Sequence, residues 1–110
     1  MDIKMRTAEK ATILDLSGNF VMSDAAGFRA QVKQLLDSGI KGIAINLAGV
    51  AYLDSSGIGA IVGAFSAARA AGAKCRFYAP SKQALQVLKM VRLDNVLDLR
   101  ADEASALSDL

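Results

Sequence analysis

A five-residue run near the middle of the chain, Ile43-Ala44-Ile45-Asn46-Leu47, limits the folds open to it more than any other feature. It is too short for a helix that must bury a face. Nor does it alternate apolar with polar residues, as a half-solvated strand does. Such a run is a strand covered on both faces, the pattern of a parallel sheet flanked by helices. Its neighbours supply those helices. Ahead of it, Phe28, Val32, Leu35 and Leu36 recur at helical spacing, with Ser23 or Asp24 as the expected N-cap and Gly39 as the stop. After it, Ile58, Ile61, Val62 and Phe65 mark the expected core side of a second helix over residues 56–71, closed by Gly72.

The alternation continues along the chain. Lys74–Tyr78 reads as a strand, and Pro80-Ser81 opens a third helix bearing Leu85, Leu88 and Val91. Residues 96–99 form a last short strand, and Asp102 caps a final helix that runs to the C-terminus. At the start, Ile3 and Met5 alternate with polar neighbours. A turn at Ala8-Glu9-Lys10 then leads into a strand over residues 12–16, so the chain opens as a hairpin. Strands that alternate with helices need crossover connections. The expected class is α/β: a mixed, mostly parallel sheet with about four helices, opening with a β-hairpin. The 110 residues suffice for one domain, residues 1–110, and a hydrophobic content of 53% supports a core without metal or crosslink.

Much chemistry is excluded. The net charge of +2 is nearly balanced, and no basic stripe offers itself to nucleic acid. There is no histidine, which removes Ser–His and Cys–His nucleophiles, most zinc sites and the usual general base at neutral pH. Gly57-Ile58-Gly59 lacks the third glycine and the distal acid of a dinucleotide fingerprint. No catalytic residue, metal site or cofactor is therefore expected, and the chain reads as a non-enzyme. Cys75, in a strand-like run, reads as a buried structural thiol suited to a reducing compartment. The opening Met1-Asp2-Ile3-Lys4 has no signal-peptide core, and the apolar stretch over residues 57–68 is too short to span a bilayer. A cytoplasmic protein without membrane insertion is expected.

One segment carries more information. Residues 43–59 run from the buried strand through a short connection into Asp54-Ser55-Ser56-Gly57 at a helix N-terminus. Asp54, Ser55 or Ser56 can cap that helix, at about 1 kcal/mol. Hydroxyls at the C-terminal edge of a parallel strand also lie where α/β proteins expose functional groups. The residues alone leave both readings open.

Asn46-Leu47-Ala48, Tyr52-Leu53 and Asp54-Ser55-Ser56-Gly57-Ile58-Gly59 resemble, in order and spacing, the signature of STAS domains. Gly18 and the segment Met90-Val91-Arg92-Leu93-Asp94-Asn95-Val96-Leu97-Asp98-Leu99 extend the resemblance over essentially the whole chain. For stand-alone domains of this length it implies an anti-sigma factor antagonist. Unphosphorylated, such a protein binds an anti-sigma factor serine kinase; phosphorylation ends the binding, and a PP2C-type phosphatase restores it. ATP then belongs to the kinase partner. The resemblance implies Ser56 as phosphoacceptor, with Asp54 and Ser55 shaping its loop. With the small, uncharged residues of the helix that follows, the turn gives an expected partner-binding loop and helix over Asp54, Ser55, Ser56, Gly57, Gly59, Ala60, Gly63, Ala64 and Ala67. One departure stands out: Val21 occupies the place, three residues after Gly18, where many phosphorylated members carry an aspartate. Two other roles are open to STAS chains, as an unphosphorylated subunit of an ABC-type lipid transporter or as a small-molecule or nucleotide sensor. The uncharged side of the second helix, which adds Ala70 and Ala71, is either covered by a neighbouring helix or open to close approach by a partner.

Overall fold

In the computed structural model, all residues except Asp109 are described. The hairpin forms first, from β1 (Asp2–Thr7) and β2 (Thr12–Phe20), antiparallel and in continuous register from Asp2 opposite Ser17 to Thr7 opposite Thr12. Then follow α1 (Met22–Asp37), β3 (Gly42–Leu53), α2 (Ser55–Ala70), β4 (Lys74–Tyr78), α3 (Lys82–Met90), β5 (Leu99–Arg100) and α4 (Glu103–Leu107). The sheet order is β1-β2-β3-β4-β5, and every pairing after the hairpin is parallel. This is the mixed, mostly parallel sheet with four helices that the alternation of patterns implies.

β3 runs through the middle and is apolar toward both sides. Ile43, Ile45 and Leu47 join Leu14, Leu16 and Phe77 in a core closed by Phe28 and Val32 of α1, Ile61 of α2 and Leu88 of α3. Phe20 and Phe28 meet edge to face, with ring centroids 5.0 Å apart. A smaller cluster of Ile13, Ala44 and Tyr78 packs against Ala106 of α4. Polar groups complete this second contact. Arg6 donates to Asp15 from Nε (2.6 Å) and to Glu103 from Nη2 (2.6 Å), and the Tyr78 hydroxyl donates to Glu103 (2.8 Å). Arg76, only 3% exposed, donates to Asp98 and to the Ala106 carbonyl, which satisfies a charge that burial would otherwise make costly.

Several expected boundaries move. β2 continues to Phe20 and β3 to Leu53, so residues 48–53 are strand and not a connection. The small residues Ala48, Gly49 and Ala51 hid the strand, whose late part is buried only at Val50 and Leu53. α1 starts at Met22 with Val21 as N-cap; Ser23 and Asp24 lie inside its first turn. α2 spans Ser55–Ala70, close to the expected 56–71, and Gly72 adopts the left-handed φ of +74° that ends it. In α3, Leu88 is buried and Leu85 half-buried, whereas Val91 is the exposed C-cap. The last strand is Leu99–Arg100, not residues 96–99, since Leu97 is drawn into the core while Val96 stays outside. Asp102 caps α4 as expected, by accepting from the Ser105 N–H. The helix does not run to the C-terminus as expected: it ends at Leu107, with Ser108 as its C-cap.

Candidate functional site

The Asp54-Ser55-Ser56-Gly57 turn is built around one carboxylate. Asp54 is the extended N-cap of α2, and its Oδ1 accepts from the Gly57 N–H at 2.8 Å. Its Oδ2 accepts from the Met22 N–H, the first residue of α1, at 3.1 Å. One side chain therefore serves the open N-termini of two helices. The second bond has a local cause: Val21 has no side-chain acceptor, so α1 lacks a cap of its own. Residue 21 directly precedes the N–H that Asp54 holds, so Val21 does stand beside the turn. Asp24 does not replace the missing carboxylate there. It accepts from the Val21 N–H (3.2 Å) and from the N-terminal ammonium (3.2 Å), and these bonds, the Val21 N–H first, hold its carboxyl below the usual range.

Gly57 is required by a close approach. A Cβ there would lie 2.3 Å from the Phe20 carbonyl oxygen, well inside any allowed contact. The Asp54 N–H donates to that same carbonyl at 3.3 Å, so the end of β2 lies directly against the first turn of α2. The turn is thus held from three sides, by Phe20, by Met22 and by its own helix.

Its two hydroxyls are the unconstrained part. Ser55 is exposed and Ser56 half-buried. Neither hydroxyl has a hydrogen-bond partner among the described residues. Two large apolar side chains sit in the flanking chain, Tyr52 at 54% and Met22 at 73% exposure. Sequence reading missed both, because an isolated exposed residue leaves no periodic signal.

The surface expected to continue down α2 divides in two. Ala60 and Ala64 are 0% and 2% exposed and belong to the core, so they present nothing to a partner. The expected core side was incomplete: Ile61 is buried, Ile58 and Phe65 are half-buried against the core, and Val62 is half-exposed outside it. A large neighbour, α1, packs beside α2 at this point, and only small side chains fit between the two. Gly59 and Gly63 lie at the margin of that contact, against the Arg29 side chain. Farther along, a groove of about 530 Å³ opens between the helices, with Val32, Leu36 and Ala67 in its lining. Cys75 lies well inside; burial, with a smaller contribution from Asp98, pushes its thiol up to about 12. No helix is long and apolar enough to cross a membrane, among the described residues.

The STAS domain family matches residues 2–106. No curated protein sequence matches the chain significantly. Among solved structures, the Thermotoga maritima protein TM1081 superposes with a TM-score of 0.89 at 20% identity, over 97% of this chain and 92% of that one. An anti-sigma factor antagonist of Mycobacterium paratuberculosis gives 0.86 at 15% identity, over 97% and 91%. The anti-sigma factor antagonist SpoIIAA in its unphosphorylated form gives 0.82 at 19% identity, over 96% and 93%, and the phosphorylated form from Bacillus gives 0.75. At these identities the likeness is one of fold.

Proposed function

The chain belongs to the STAS domain family, and on that premise we propose that it is an anti-sigma factor antagonist whose serine turn is a phosphorylation switch. The observation that carries the reading is the pair of unpartnered hydroxyls, Ser55 and Ser56, on a helix turn whose backbone is fixed by Asp54 and Gly57. In this reading the unphosphorylated turn docks an anti-sigma factor serine kinase, and a PP2C-type phosphatase resets it. Ser56 is the acceptor named by the family resemblance, and Ser55 is the more exposed of the two. The proposal is therefore written for the pair, and site mapping assigns the phosphate.

Phosphate at this place is compatible with the fold. The free N–H groups and positive dipole end of α2 favour an anion by roughly 0.3–1 kcal/mol. The complex suffers instead. About −1.5 to −2 charges beside Asp54, desolvated against a partner, are unfavourable. A cost of about 3 kcal/mol weakens binding about a hundredfold. The surface left to the partner is Asp54, Ser55, Ser56 and the outer side of α2 at Gly59, Gly63 and Ala67, together with the exposed Met22 and Tyr52.

The test is intact mass and phosphosite mapping of the protein from its own cells, with calorimetric affinities for the co-purifying kinase. Replacement of the acceptor by Ala should give permanent binding, and by Asp, weak binding at native stability. A turn that never carries phosphate sinks the switch. That outcome supports a second reading, an unphosphorylated subunit of an ABC-type lipid transporter, for which the apolar Val21 is the favouring observation. Val21→Asp should speed phosphorylation and leave unphosphorylated affinity nearly unchanged, since phosphoryl transfer depends on the charge placed around it.

A further inference from the structure

We propose that Arg29 of α1 is the intramolecular receptor for phosphate on the serine turn; the inference rests on the reading of that turn as a phosphorylation site. A Cβ on Gly63 would stand 3.7 Å from Arg29 Nε, and one on Gly59 would stand 3.6 Å from Nη2. The side chain therefore lies along the outside of α2, with its guanidinium end nearer the N-terminus of that helix. Gly59 is four residues after Ser55 and three after Ser56. Residues so spaced are surface neighbours about 5–6 Å apart. The two glycines carry no side chain to separate the guanidinium from that stripe of α2.

Arg29 is also free to act. Among the described residues it makes no hydrogen bond or ion pair. Its neighbours are occupied: Lys33 is paired with Asp37 at 2.9 Å, and the Arg69 guanidinium lies 5.9 Å from the Phe65 ring centroid. A phosphoserine brings three acceptor oxygens, and the guanidinium fork matches two of them at once. The Asp54 carboxylate at the same turn repels that phosphate, and Arg29 is the cation placed to offset it. No covalent step is involved beyond the phosphorylation itself. The ion pair would fasten α1 to the first turns of α2 and draw Arg29 away from the groove that it now helps to line. The phosphorylated state is then a differently closed surface, not a loosened one.

Phosphoserine installed at position 55 or 56 of the full chain by genetic-code expansion tests this without any kinase. Phosphorus NMR follows the second ionisation of the phosphate, ordinarily near pH 6. At one position or both, it should fall at least about half a pH unit lower with Arg29 present than in Arg29→Gln, and Arg29→Lys should lie between them. The same phosphate should raise the melting temperature more in the chain that carries Arg29 than in Arg29→Gln, where only the helix N-terminus favours it. Unphosphorylated Arg29→Gln should melt within about a degree of wild type, because no bond is lost. Equal titrations with and without Arg29 at both positions overturn the proposal. Absence of phosphate in cells would sink the functional reading and leave this measurement standing.

Discussion

The two faces of the sheet are held by different physics. Toward α1, α2 and α3 the contact is wholly apolar, with Phe20, Phe28, Ile45, Leu47 and Phe77 closed off from water. Toward α4 it is a small apolar patch bordered by charges, Arg6 with Asp15 and Glu103, and Arg76 with Asp98. The first contact depends on volume and shape. The second depends on ionisation state and salt. The serine turn belongs to the first side, where the Asp54 carboxylate is the charged group set against an otherwise apolar support.

Truncation on the helical face should show the largest effect. Phe28→Ala removes a fully buried ring and its edge-to-face contact with Phe20, and should cost about 3–5 kcal/mol, read as a lower urea midpoint. A loss below about 1 kcal/mol would mean that this face collapses as readily as the other. Gly57→Ala comes next. Its methyl would press on the Phe20 carbonyl, which is backbone and cannot swing aside, so a cost of about 2–3 kcal/mol is expected with displaced amide shifts at residues 20–22 and 54–58. Asp54→Ala uncaps α1 and α2 together and should cost about 2 kcal/mol; a cost near 1 would mean that the bond to Met22 contributes nothing.

The opposite face should give the smallest and most conditional effects. Arg6→Ala should lower the melting temperature by about 2–4 °C, and 1 M salt should shrink the difference. Folding holds the carboxyls of Asp15 and Glu103 below their ordinary values, chiefly through Arg6, and that of Asp98 chiefly through Arg100. Carboxyls lowered in this way stabilise the fold above their ordinary range, and the stabilisation fades as pH falls through the folded values. Below about pH 4, hydrogen exchange should therefore rise in α4 before it rises in α1 or α2. Simultaneous loss of protection in all three helices would erase the distinction between the faces.

This contrast also separates what could be read in advance. Periodicity located the first three helices and the strands along the chain, because the apolar stripes of β3, α1 and α3 are wide enough to declare their period; the last helix was marked by its Asp102 cap, and the order of strands in the sheet was not read. Periodicity was incomplete for α2: Ile58, Ile61 and Phe65 meet the core as expected, but Val62 does not, and Ala60 and Ala64 on the side left open are buried as well. In an Ala- and Gly-rich helix both sides are apolar, and amphipathic contrast carries no direction. A cap at Asp54, Ser55 or Ser56 was legible from residue type, and the structure assigns it to Asp54. Its second bond, across 32 residues to Met22, was not.

The sequence by itself determined the class of fold, the position of the turn and the absence of histidine chemistry, since these depend on residue identity and local spacing. Tertiary structure alone decided that Ala60 and Ala64 lie inside, that Gly57 abuts the Phe20 carbonyl and that an unpaired Arg29 lies beside Gly59. Those facts come from α1 and the end of β2 packed against α2, contacts between segments whose relative placement no local pattern encodes. Close packing gives each position between two helices a size limit that can be read only once both helices are in place.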